Sequence, residues 1–114
     1  MSNQKEVVLC VSNAYQQKFY LNENFNGLPA SIKDELKIMC VMYTEDVGGI
    51  LKVVFDVDGN LEFQTEYEET DYFYDEIGSV LKIKQYQNTK RELLESIETY
   101  YKIVFLGQGF DEED

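Results

Sequence analysis

The chain contains no tryptophan, no histidine, one proline (Pro29), one arginine (Arg91), two cysteines and no long apolar run. Each shortage narrows the chemistry. Without histidine the commonest general base and metal ligand is gone, and neither a Ser–His–Asp nor a Cys–His arrangement can be assembled. Cys10 and Cys40 stand singly inside apolar runs, residues 7–11 and 38–41. A disulfide framework needs more cysteines, and metal sites need closer spacing or histidine partners. Two buried, reduced thiols are therefore expected, with a single Cys10–Cys40 bridge as the alternative. A cysteine nucleophile needs an open, electropositive setting, which neither run offers. No apolar stretch approaches the ~18 residues of a membrane span. Residues 1–6 lack the basic and then apolar run of a signal peptide, so the cytoplasm is the expected compartment. Cations are scarce as well: 10 Lys and Arg face 22 Asp and Glu, for a net charge of −12. That balance argues against direct binding of nucleic acid or an anionic membrane, and it is compatible with a basic protein partner.

What is present is ample for one core. A chain of 114 residues, 44% hydrophobic, with seven Phe and nine Tyr, is the size of one domain, residues 1–114. Residues 1–5 and the acidic segment 108–114 are expected to fray. Residues 7–11 are apolar and β-branched and read as a strand, with residues 19–21 as its return partner across Ser12-Asn13-Ala14-Tyr15. Residues 22–27, rich in Asn and closed by Gly27, read as a loop. Pro29 suits a first helical turn, and Ser31-Ile32-Lys33-Asp34 resembles a capping box. Ile32, Leu36, Met39 and Tyr43 then recur at helical spacing until Gly48-Gly49 ends the helix.

The acidic hairpin at residues 50–68 is the clearest element. Residues 50–57 are apolar apart from Lys52 and Asp56, as in a strand covered on both faces or centrally paired. Residues 61–68 alternate: Leu61, Phe63, Thr65 and Tyr67 on one face, Glu62, Gln64, Glu66 and Glu68 on the other. Asp58-Gly59-Asn60 between them is hairpin-turn chemistry, because Gly and Asn accept positive φ. From residue 74 to 106 the pattern is helical. Ile77, Val80, Leu81 and Lys84 form one stripe, and Leu93, Ile97, Tyr100 and Val104 form another, widened by Leu94, Tyr101 and Phe105. Thr89-Lys90-Arg91-Glu92 spells a capping box inside that run, so two helices are expected with a break near Asn88. The fold class is α+β: a small antiparallel sheet, made of the 50–68 hairpin plus the N-terminal strands, packed against one middle helix and two C-terminal helices.

Several motifs invite a function. Asp56-Val57-Asp58-Gly59-Asn60 hints at calcium. Aligning Gly59 with the invariant glycine of a calcium loop, however, puts Val54 and Thr65 where oxygen ligands belong, and the bidentate Glu is missing. A turn explains every residue without a metal. Gly48-Gly49 follows a helix and Gly78 stands alone, so neither forms a phosphate cradle, which needs its glycines before a helix N-terminus. Carboxylate-pair catalysis needs a cleft, and one acidic strand face is no cleft. No cofactor and no metal are expected.

The acid run is the most unusual feature. No Lys or Arg lies between Lys52 and Lys82, while that interval holds nine acids from Asp56 to Glu76. The plain explanation is a solvated sheet face followed by an acidic helix start. The functional one is a docking face for a basic partner, or a mimic of nucleic-acid charge. Tyr67, Tyr72, Phe73 and Tyr74 interleave with the acids and are either a packing seam or an interface hot spot.

The sequence also resembles an uncharacterised family of small proteins from clostridial-type anaerobic Gram-positive bacteria, known only as a domain of unknown function. The resemblance runs through Asn13-Ala14-Tyr15, Lys18-Phe19-Tyr20-Leu21-Asn22, Leu28-Pro29, Asp34-Glu35-Leu36 and Tyr43-Thr44-Glu45-Asp46-Val47-Gly48-Gly49-Ile50. It continues through Phe55-Asp56-Val57-Asp58-Gly59, Asp75-Glu76-Ile77-Gly78-Ser79, Tyr100-Tyr101 and Phe105-Leu106-Gly107. It implies an intracellular bacterial protein and supplies no catalytic residue. The expected function is a non-catalytic interaction or regulatory module with Glu62, Glu66, Glu68, Tyr67, Tyr72 and Tyr74 as its surface. Its expected partner is an unknown protein, for which a basic one suits the charge, or a second copy of the chain. An acidic nucleic-acid mimic or a binder of basic protein segments is the alternative, and an enzyme acting through carboxylates comes third.

Overall fold

The computed structural model describes residues 6–108. Of the fraying expected at residues 1–5 and 108–114, all but Gln108 lies outside that range, and the Gln108 N–H donates to the Lys102 carbonyl at 2.9 Å. Strand β1 (Val7–Asn13) turns through residues 14–17 into β2 (Lys18–Leu21). The Asn13 carboxamide nucleates the turn, accepting the N–H groups of Tyr15 and Gln16 at 2.9 and 3.1 Å. Helix α1 (Ala30–Val47), strands β3 (Ile50–Phe55) and β4 (Leu61–Glu66), and helices α2 (Glu76–Thr89) and α3 (Arg91–Val104) follow. The fold is α+β, with all strands antiparallel in the order β2-β1-β3-β4.

That order settles why β3 is so apolar. It lies between β1 and β4, and Leu51, Val53, Val54 and Phe55 are all fully buried. One face of the sheet carries the core. Cys10 and Ser12 of β1 face α1, where Ser12 Oγ lies 2.9 Å from Thr44 Oγ1 and Cys10 Sγ lies 3.7 Å from Cys40 Sγ. Both cysteines are buried free thiols. The Cys40 thiol beside it, together with burial, pushes the Cys10 thiol well above its ordinary range. Helix α3 closes the other end of the core. Tyr101 stacks on Phe55 with ring centroids 3.9 Å apart and planes 7° apart, and Phe25 stacks on Phe55 at 5.4 Å.

The hairpin tip is a turn built by its own acid. Asp56 Oδ1 accepts the backbone N–H groups of Asp58 and Asn60, each at 2.9 Å, and Gly59 takes φ +88°. These N–H bonds, led by that of Asn60, hold the Asp56 carboxyl below its ordinary value. The tip also docks on α3: Lys102 Nζ donates to Asn60 Oδ1 at 3.1 Å, and Leu61 N–H donates to Glu98 Oε2 at 2.8 Å.

Three local expectations are corrected. Pro29 is itself the N-cap residue of α1 and no side chain caps that helix, so Ser31 and Asp34 form no box. Thr89 does not cap α3. Its hydroxyl turns back to the Gln85 carbonyl at 2.9 Å and completes α2, while Lys90 marks the break between two separate helices. The stripe Ile77, Val80, Leu81 and Lys84 does not face the core. Helix α2 packs on α1 and α3 through the opposite side, where Ser79 and Tyr86 are buried and Ile83 is partly so. The physical reason is that two sides of α2 fit helical spacing, and the side that packs is the one whose hydroxyls find buried partners, Ser79 with Tyr43 and Tyr86 with the Met39 carbonyl.

Candidate functional site

The acidic and aromatic residues converge where β4 ends, residues 67–75 loop back, and α2 begins. Tyr74 turns inward. Its ring stacks on Tyr67 at 4.2 Å with planes 11° apart, and its hydroxyl lies 3.3 Å from that of Tyr43. Tyr43, fully buried in α1, also hydrogen-bonds Ser79 Oγ of α2 at 2.6 Å, and burial pushes its phenol far up. Gly49 allows this packing, because a Cβ there would sit 2.6 Å from the Glu66 carbonyl oxygen and 2.7 Å from the Tyr74 ring. On the other side of the loop, the Tyr15 hydroxyl donates to Asp71 Oδ2 at 2.6 Å and accepts the Glu68 N–H at 3.0 Å. Desolvation and that carboxylate hold the Tyr15 phenol above its ordinary value.

The loop is thereby pinned at both ends. Asp71 Oδ1 accepts the Phe73 N–H at 3.1 Å, and Asp75 caps α2 by accepting the Gly78 N–H at 2.8 Å. The Tyr67 hydroxyl donates to Glu76 in the first turn of α2, which raises the Tyr67 phenol. Between these anchors Tyr72 and Phe73 stand out, 88% and 96% exposed. The chain leads straight from them into the outward face of α2, where Ile77, Val80 and Leu81 are 76%, 57% and 61% exposed.

The residues expected to form the interaction surface thus divide in two. Tyr67 and Tyr74 form the packing seam between hairpin and α2, while Tyr72 is displayed. Glu62 and Glu66 lie on the sheet face turned away from the helices, opposite Val54 and Ile50. Between them, Gln64 donates to Glu6 Oε2 at 2.7 Å, and Glu66 approaches Lys52 Nζ at 3.6 Å. Glu68 lies beyond the end of β4 with its side chain exposed. Ile77, Val80 and Leu81 were missed as surface residues. The signal that could have found them is the second periodic set, Ser79, Ile83 and Tyr86, which competes for the same core.

No three metal-ligating side chains converge among the described residues. A groove of about 600 Å³ lies between the first hairpin and α1, lined by Lys18, Lys37 and Thr44 among others, and among the described residues Glu45 is its one carboxylate. No helix among the described residues is long and apolar enough to cross a membrane.

A family model described as a family of unknown function (DUF6145) matches residues 6–109, which is nearly the whole chain and the whole of this architecture. The chain belongs to that family. No curated protein and no solved structure matches it. The description of DUF6145 carries no activity, so the chemistry of this member rests on its own residues. Those residues offer an acidic sheet face and a displayed aromatic and apolar ridge.

Proposed function

We propose that this DUF6145 chain is a non-catalytic protein-interaction module of the bacterial cytoplasm. Its contact surface is the ridge from Tyr72 to Leu81, bordered by Glu68 and the acids that open α2, with Glu62 and Glu66 on the outer sheet face as a second, acidic contact area. The observation that carries the proposal is the near-complete exposure of Tyr72 and Phe73 on a loop hydrogen-bonded at both ends. Exposed aromatics pre-ordered on a scaffold lose little entropy on binding and are typical anchors of interface hot spots. A stretch of apolar surface this long on a monomer marks an interaction site. The absence of histidine and the sparse carboxylate lining of the groove support a binding role over chemistry.

The test is affinity capture from native cells with mass measurement of the intact complex, run beside a Tyr72→Ser/Phe73→Ser variant. The variant should lose the captured partner while keeping its far-UV circular dichroism. Unchanged capture by the variant rejects this surface. Loss of capture on Glu62→Lys/Glu66→Lys, with the aromatic variant unaffected, favours the binder of basic segments.

A further inference from the structure

We infer that a second copy of the chain covers the outward face of α2, through an antiparallel two-fold pairing of α2 with α2. This rests on the interaction-module proposal and names its partner. Three observations carry it. Among the described residues the face is unpartnered: Ile77, Val80 and Leu81 point away from Ser79, Ile83 and Tyr86, which hold α2 to the body of the protein.

Second, its charge is self-complementary. In the middle of a strongly acidic chain, the charge on this stripe is the cation Lys84, exposed one turn past Val80 and Leu81. The acids Asp75 and Glu76 sit at the opposite end of the same helix. A basic partner laid along α2 would meet Lys84 with like charge. A second α2 running the other way meets it with Glu76. Setting the two-fold axis between Val80 and Leu81 pairs Val80 with Leu81 of the second copy and sets Lys84 beside Ile77 and Glu76 of the second copy. Phe73 then reaches the uncharged Asn88 of the second copy. A symmetric dimer repeats every such contact twice.

Third, the area suffices. The exposed parts of Tyr72, Phe73, Ile77, Val80 and Leu81 amount to roughly 600 Å² per copy. Pairing two copies would therefore remove roughly 1,200 Å², the lower edge of the range for specific interfaces. Lys84 adds its aliphatic stem to that contact while its ammonium stays at the rim.

The experiment is native mass spectrometry and sedimentation equilibrium on the purified full chain, from ~1 to ~100 µM. The wild type should show a dimer in that range. Lys84→Glu and Glu76→Lys, each alone, set like charges face to face twice and should weaken the dimer roughly 30-fold or more. An equal mixture of the two restores opposite charge at both contacts and should dimerise again. Leu81→Asp, at an exposed position that leaves folding intact, should be monomeric, with the wild-type urea midpoint when both are unfolded at a concentration dilute enough for the wild type to be monomeric too. A wild type that stays monomeric at ~100 µM overturns the inference, as does a Leu81→Asp dimer or a mixture that fails to reassociate. A monomer whose cellular partner is lost on Tyr72→Ser/Phe73→Ser overturns the second copy alone and leaves the interaction module standing.

Discussion

Replacing Gly49 by alanine tests the packing that pins the 67–75 loop. Gly49 joins α1 to β3 with φ +72°, and a side chain in that region costs about 1–2 kcal/mol by itself. At Gly49 the added Cβ also meets the Glu66 carbonyl oxygen of β4 at 2.6 Å and the Tyr74 ring at 2.7 Å. The Tyr74 ring can swing away, but the β4 backbone is tied to β3 through the Ile50–Glu66 pair and cannot. Overpacking of this kind costs a further ~1–3 kcal/mol. The expected loss is therefore about 2–5 kcal/mol, a large share of the ~5–15 kcal/mol that holds a domain. Gly107 supplies the control, since it has φ +70° and nothing within 4 Å of an added Cβ. Gly107→Ala should cost only the backbone part, about 1–2 kcal/mol. Urea unfolding followed by far-UV circular dichroism measures both, with a constant m-value confirming that stability alone changed. Near-UV circular dichroism should also change in Gly49→Ala as the Tyr67–Tyr74 stack loosens. Equal costs at the two glycines would refute the close approach.

Other consequences can be measured on the same material. Tyr43→Phe strands Ser79 Oγ in a buried site and should cost about 1–3 kcal/mol, whereas Tyr43→Phe/Ser79→Ala removes both partners and should recover much of that loss. The phenols of Tyr43, Tyr86, Tyr15 and Tyr67 are all raised in the folded chain. The native state therefore keeps protons that the unfolded chain releases near pH ~10, so stability should fall as pH climbs past that point, and less steeply in Tyr43→Phe. Asp56 has the opposite sign. Its native value is depressed, so its contribution is present above the ordinary carboxylate range and vanishes as pH falls through the depressed value; the acid arm of a urea-midpoint profile should flatten in Asp56→Ala.

The sheet was legible because each of its strands carries a local signature. β4 alternates, β3 is apolar apart from Lys52, and Asp58-Gly59-Asn60 can only turn. What periodicity could not decide was which side of α2 is buried. Ile77, Val80, Leu81 and Lys84 fit the spacing of a core stripe, and so do Ser79, Ile83 and Tyr86. The choice belongs to tertiary contacts, namely Tyr43 reaching Ser79 and the Tyr86 hydroxyl donating to the Met39 carbonyl at 3.2 Å. Both capping boxes failed for a related reason. A pattern of four residues gives the means of a cap but not the helix boundary, and the boundaries fell at Pro29 and Lys90 instead. The candidate surface was half legible. The acids were evident from composition, whereas the split of the tyrosines into a seam (Tyr67, Tyr74) and a display (Tyr72) depends on Gly49 and Tyr15, far away in sequence.

Salt separates the two kinds of partner this surface could take. Two chains of charge −12 repel at long range, and the proposed dimer would form only because the α2 faces bury apolar area against that repulsion. In the proposed dimer the Lys84–Glu76 contacts would lie at an exposed rim, where ion pairs contribute at most about 1 kcal/mol each. Raising salt screens the net repulsion over distances beyond ~10 Å and also weakens the rim pairs. With the net charge so large and the pairs only two, relief of repulsion wins. The dimer constant should therefore tighten between low salt and ~0.5 M salt, a range over which the Debye length shrinks severalfold. A basic protein held by Glu62, Glu66 and the acids of the loop would show the reverse, weakening steadily across the same range. Sedimentation equilibrium across that range reads the sign directly, and a dimer that loosens with salt would mean that charge pairing, not the apolar ridge, holds the two copies together.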